Sequence, residues 1–333
     1  MKQISKKLDC LQVIRAIACL MIVFCHTDYS GAGQTGVDLF FVISGFVIML
    51  STEKPFTIKS FALKRIKRIV PLYWTVTIIL SLLIVLKPQL FRTSAFSWEY
   101  LFKSLLFIPY TQNGVGGPIL AIAWTLNLEV FFYFLFGLAS WISRKYRGII
   151  TIGLIAILVT ITYIWDLPYV IRFWGLSVTL EFAWGIIVYY VWKYLKNVKA
   201  DSVFLKNTLT ANIIFWVLLL SGIVLMEINF AGKGNTISRP FDVGLIAALI
   251  VAVSILLNDH LKTPKVLKYM GDKCYEIYLL HLFPVRLFSE LLYKLAGRNL
   301  LSAFLAVILS LLTLQLLYQI MCCIVYRKKY SKN

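Results

Sequence analysis

Arg15 and His26 stand eleven residues apart in the apolar run LQVIRAIACLMIVFCH. At about 100° per residue an α-helix returns them to one stripe, about 20° apart, with about 16 Å of rise between them. A fixed cation and a titratable imidazole on one line inside hydrocarbon point to a polar cavity running through a membrane. Plainer roles are also open: Arg15 snorkelling to lipid phosphate, and His26 capping its helix at the interface. Asp38, in GVDLFFVISGF, could cap a helix, pair with a cation or act in catalysis. Ser44 and Gly45 in that run give a small face for close helix approach. Glu129 in AWTLNLEVFFYF reads as the costliest acid, with Asn127 beside it, and Glu181 in TLEFAWG is a second. A buried carboxylate needs a cation or takes up a proton. Tyr275, Tyr278 and His281 fall at i, i+3 and i+6 of CYEIYLLH, roughly one helical face, where His281 reads as a satisfied packing histidine.

The stretch KSFALKRIKRIVPLY sets Lys64, Arg65, Lys67 and Arg68 at the start of another apolar run. Arg65 and Arg68 share a face at i, i+3, and Lys64 and Arg68 at i, i+4. Ordinary cytoplasmic anchoring explains such a cluster, and so does a guanidinium clamp for the phosphates of a nucleotide-like ligand. His260 lies in a charged loop and reads as solvated. The six cysteines, in or beside apolar runs, lack metal spacing and read as small buried residues. No GxSxG, P-loop or metal-ligand cluster is legible, so no metal is expected.

The elements that must hold these residues are membrane helices. Of 333 residues 60% are apolar and 15% charged, which excludes a soluble globular enzyme, a secreted disulfide scaffold and a disordered chain. Apolar runs at 9–28, 36–52, 69–87, 121–142, 148–165, 173–192, 209–228, 241–257, 274–294 and 300–325 are each near the length of a membrane crossing. The piece at 99–110 is too short and suits an interfacial or re-entrant segment. With ten crossings and both termini cytoplasmic, 24 of the 34 Lys and Arg fall in inner segments, eight in outer ones and two within spans. A further crossing at 99–110 would largely erase that bias. The net charge of +19 is therefore an orientation signal with attraction to anionic lipid, and no nucleic-acid role is expected. The amino terminus resembles a signal peptide but reads as an uncleaved anchor. The expectation is an all-α, polytopic helical bundle in one membrane domain over 1–330, with no appended soluble domain. Residue chemistry alone leaves a transporter and a trans-bilayer enzyme both open.

Taken together, five segments narrow that choice. Arg15 with His26, GVDLFFVISGF (36–46), FALKRIKRIVPLYW (61–74), WTLNLEVFFY (124–133) and GDKCYEIYLLH (271–281) occur in the order seen in the membrane-bound acyltransferase 3 family, which the chain resembles over about 1–330. The LQVIRAIA opening and the IPYTQNG…PILAIAWTLNLE stretch are most similar to the branch that O-acetylates bacterial exopolysaccharides. Two departures stand out: Gln12 and Val13 replace a Gly-Leu-Arg opening, and the hydrolase-like domain that some members append is not expected here. The resemblance implies acetyl-CoA as acyl donor, bound from the cytoplasm, and a glycan or lipid-linked sugar as acceptor. It makes His26 the catalytic base, with Arg15, Lys64, Arg65 and Arg68 holding the donor, and Arg15 and Glu129 completing the catalytic set. A covalent acyl-imidazole on His26 is the less favoured variant. Asp38, Tyr275, Tyr278 and His281 are left as acceptor-binding candidates. Membrane lipid and polysaccharide-assembly proteins are the remaining partners, in a bacterial cytoplasmic membrane. The competing function is a proton-coupled transporter or a lipid or oligosaccharide flippase using the same polar seam. It is disfavoured because no internal repeat is visible.

Overall fold

The computed structural model describes residues 8–90, 96–112, 115–197, 208–231 and 236–330. Eight of the charges that enter the orientation argument (Lys2, Lys6, Lys7, Arg92, Lys199, Lys206, Lys233 and Lys332) lie outside the described residues. The chain is helical: α1 (Asp9–Cys25), α2 (Gly36–Ser51), α3 (Ile58–Leu86), α4 (Trp98–Leu105), α5 (Trp124–Ile142), α6 (Arg147–Ile164), α7 (Tyr169–Trp174) and α8 (Leu180–Asn197). There follow α9 (Thr208–Phe230), α10 (Arg239–Asp242), α11 (Gly244–Leu257), α12 (Lys265–Asp272), α13 (Cys274–Leu280), α14 (Leu282–Ala296) and α15 (Leu300–Tyr330). A two-residue hairpin pairs Thr111 with Gly116.

Among the described residues, six stretches are long and apolar enough to cross a membrane: Ile58–Leu86, Ala121–Ile142, Arg147–Ile164, Thr208–Phe230, Arg239–His260 and Leu300–Ile320. Sequence patterning gives ten. The difference lies in α1 and α2, which have 17 and 16 residues, in α8, which carries Glu181, Lys193 and Lys196, and in 274–294. That last run is not one helix but two, parted at His281. Pro284, three residues on, lacks the N–H that would bond the Leu280 carbonyl, so the ladder opens there. Nor does the third crossing begin at 69. Thr57 and Ser60 form a capping box, and α3 runs from Ile58 through Pro71, which places the basic cluster in its opening turns.

Two compact units emerge. The larger joins residues up to Leu11 to Val37–Lys262. Within it, α2 and α8 cross at glycine: a Cβ on Gly45 would strike the Phe182 carbonyl, and one on Gly185 the Val42 carbonyl. The small face at Ser44–Gly45 is therefore a backbone contact. Around it Phe41, Phe132 and Phe182 stack, with Phe182 centroids 4.5 Å and 4.3 Å from the other two. The short 99–110 segment is α4, eight residues and one exposed stripe of Trp98, Phe102 and Leu106. Its end is tied to α3: Tyr73 Oη donates to the Ser104 carbonyl and Trp74 Nε1 to the Leu105 carbonyl, both at 2.9 Å.

The smaller unit joins Gln12–Gly36 to the chain from Thr263 onward. Gly33 at φ +102° and Gly36 press onto the Met21 and Ala18 carbonyls, folding the link after α1 back against the helix. Tyr293 Oη of α14 donates to the Thr27 carbonyl at 2.9 Å, and the Phe24 and Phe304 rings meet at 5.3 Å. Gly271 lies directly on the Gln12 backbone.

Candidate active site

In the smaller unit the end of α1 meets the junction of α13 and α14. His26 is half-buried one residue past the helix. Its Nδ1 lies 2.8 Å from the Ile22 carbonyl, which also accepts the His26 main-chain N–H at 3.2 Å. The other ring nitrogen, Nε2, has no hydrogen-bond partner among the described residues. Opposite stands His281, completely buried, with Nε2 3.4 Å from His26 Nδ1 and ring centroids 5.0 Å apart. Its own Nδ1 is 2.7 Å from the Tyr278 carbonyl. Of the other candidates here, Tyr278 is buried with its ring 6.0 Å from His281, Tyr275 is half-buried, and Arg15 is half-buried about three turns earlier in α1. The pairing of His26 with His281, 255 positions apart, is the feature that sequence reading missed. Histidine at 281 carried a signal, but nothing local named its partner.

The larger unit holds the acids and the basic cluster. Glu129 is half-buried, and its Oε1 accepts from Ser44 Oγ at 3.1 Å and from Tyr133 Oη. The Tyr133 ring in turn lies under Arg65, whose Cζ is 5.1 Å from its centroid and 5.4 Å from that of Phe61. Arg65 Nη2 donates to Ser51 Oγ at 2.9 Å, while its buried Nε has no partner among the described residues. The guanidinium thus lies within cation–π distance of two rings set edge to face at 86°, with donors to spare, a geometry that suits a phosphate or carbonyl oxygen. Lys64 and Arg68 are exposed on the same helix. Asn127 is buried with neither end of its amide hydrogen-bonded among the described residues.

Glu129 is not the costliest acid. Asp38 and Glu181 are both completely buried, and Asp38 has a dedicated cation. Arg239 Nε and Nη2 donate to its two oxygens at 2.9 and 2.7 Å, and Glu181 Oε1 is 4.0 Å from the same Nε. Cation pairing, one of the roles open to Asp38, is thus present in the fold. The signal for Arg239 was there, a cation at the edge of an apolar run, but its partner lay 201 residues away. No group of three or more His, Cys, Asp or Glu among the described residues could hold a metal ion.

A family model described as an acyltransferase domain matches residues 8–319. The exopolysaccharide production protein ExoZ of Rhizobium meliloti strain 1021 is 29% identical over 271 residues, covering 78% of each chain. The peptidoglycan O-acetyltransferase OatA of Listeria monocytogenes serovar 1/2a is 22% identical over 340 residues, which cover 92% of this chain and 54% of OatA. No solved structure matches.

Proposed function

The chain belongs to the acyltransferase 3 family and is a membrane acyltransferase, and from that premise we propose that it O-acetylates a glycan, with acetyl-CoA as donor and His26 as base. The carrying observation is the His26 ring: Nδ1 is committed to the Ile22 carbonyl, which leaves Nε2 as the basic atom. In this reading Nε2 takes the proton of the acceptor hydroxyl as its oxygen attacks the thioester carbonyl carbon. The tetrahedral intermediate collapses, the C–S bond breaks, and His26 returns the proton to the departing CoA thiolate. Arg65, with Lys64 and Arg68, holds the donor phosphates through charge-assisted hydrogen bonds. Arg15 faces the oxyanion or the donor, and Glu129 keeps Tyr133, and through its ring Arg65, in place.

The acceptor class follows the relatives, one named for exopolysaccharide production and the other for peptidoglycan O-acetylation. Ten crossings, cytoplasmic termini and a bacterial cytoplasmic membrane complete the proposal, supported by the charge distribution along the chain. The test uses purified protein in lipid nanodiscs. Calorimetry should show acetyl-CoA binding in the wild type and in His26→Ala, and its loss in Arg65→Ala with Arg68→Ala. Acetyl transfer from labelled donor to envelope glycan should vanish in His26→Ala. Transfer by folded His26→Ala at the wild-type rate would reject the base. Absence of binding at millimolar acetyl-CoA would reject the donor.

A further inference from the structure

Two carbonyls decide where the protons of the histidine pair reside. A carbonyl oxygen only accepts, so the approaches of His26 Nδ1 to Ile22 O and of His281 Nδ1 to Tyr278 O each require a proton on Nδ1. In neutral His281 the Nε2 atom is then a bare lone pair, and it faces His26 Nδ1 at 3.4 Å with the rings edge to face at 71°. The single N–H of His26 is shared between a main-chain oxygen and the lone pair of a second imidazole. Flipping the His26 ring would turn a C–H toward both acceptors. His281 itself has little freedom: it is completely buried, and a second carbonyl, that of Ile277, lies 3.2 Å from its Nδ1.

We infer that His281 is a positioning residue for His26. Its Nε2 accepts from His26 Nδ1–H, holds the tautomer whose Nε2 is unprotonated, and stabilises the imidazolium formed when that Nε2 takes the acceptor proton. No bond to His281 is made or broken in the reaction. This assignment rests on the reading of His26 as base, and it explains why a histidine sits at the break between α13 and α14 when an apolar residue would fill the space.

Glutamine and methionine at 281 have similar shape, but only glutamine offers an oxygen acceptor. His281→Met should lower kcat roughly ten- to a hundredfold, no more than the lower end of what proton transfer contributes, because the base itself remains. KM for acetyl-CoA should stay within about twofold, because no donor contact is lost. His281→Gln should recover most of that kcat. With only three histidines in the chain, nitrogen NMR of 15N-histidine protein in nanodiscs can follow the His26 tautomer. It should be a single Nδ1–H form in the wild type and in His281→Gln, and a mixture in His281→Met. Equal kcat in the Gln and Met proteins, or an unchanged His26 tautomer in His281→Met, would overturn the inference. Should His281→Met fail to elute as folded protein, the tautomer and kcat of His281→Gln against wild type decide alone: a mixed tautomer with low kcat overturns it, and retention of both supports it. His26→Ala separates the two levels, since an active His26→Ala removes the base itself. An inactive one beside equal Gln and Met proteins leaves the base standing and removes only His281.

Discussion

Asp38 and Arg239 bury opposite charges against each other with two hydrogen bonds between them, 0% and 6% exposed. Such a pair contributes little over apolar residues of the same size, yet removing one partner strands the other, which costs about 3–5 kcal/mol. Arg239→Met is therefore expected to lower the thermal unfolding midpoint in detergent sharply, and Asp38→Leu likewise. The double variant should regain most of the loss; simple addition of the two effects would deny the coupling. Glu181 is the contrasting case, because it sits beside the pair with neither oxygen hydrogen-bonded among the described residues. Glu181→Gln, which removes a second carboxylate from beside Asp38, should leave the midpoint unchanged or raised. For Arg65 the contact with the Phe61 and Tyr133 rings is the point. Arg65→Lys keeps the charge but loses the planar fork, and it should weaken acetyl-CoA binding by about tenfold in calorimetry.

Helices meet where side chains let them. At Gly45 and Gly185 the main chains of α2 and α8 touch, and any Cβ there enters a carbonyl. Gly45→Val should force the helices apart and yield protein that aggregates on extraction, whereas Gly137→Ala should be silent, because a Cβ there meets nothing within 4 Å. A Gly45→Val protein that elutes monodisperse with wild-type activity would show that the crossing can slide. The same elements show what a sequence reveals. Ser44–Gly45 could be read as a contact face and 99–110 as too short to cross, because both depend on local size and length. The break at His281 was also written locally, in Pro284, but uninterrupted apolarity masked it. Pairings over 200 positions, His26 with His281 and Asp38 with Arg239, follow only from how the chain returns on itself. Burial behaves the same way: Glu129 sits deeper in its run than Asp38 does, but is less enclosed in the fold.

The sidedness of the whole chain turns on α4. Eight residues rise about 12 Å as a helix, against about 30 Å of hydrocarbon, so α4 cannot cross. Its Trp98, Phe102 and Leu106 stripe is exposed while Glu99 and Lys103 pair on the same short helix, the pattern of a segment lying in the interface. The links before and after it must then open on one side. Gln89→Cys and Thr111→Cys should both react with an impermeant maleimide added outside intact cells, above the background of the native cysteines. Lys145→Cys, in the link between α5 and α6, should react only after permeabilisation. Labelling of Gln89→Cys and Thr111→Cys from opposite sides would mean that the chain crosses the membrane between them. Lys145 and every basic link after it would then face outward, against the charge asymmetry that orients membrane proteins. The basic cluster on α3 precedes α4 and would keep its side in either case, so this experiment tests the topology of the later helices without touching the chemistry proposed for Arg65.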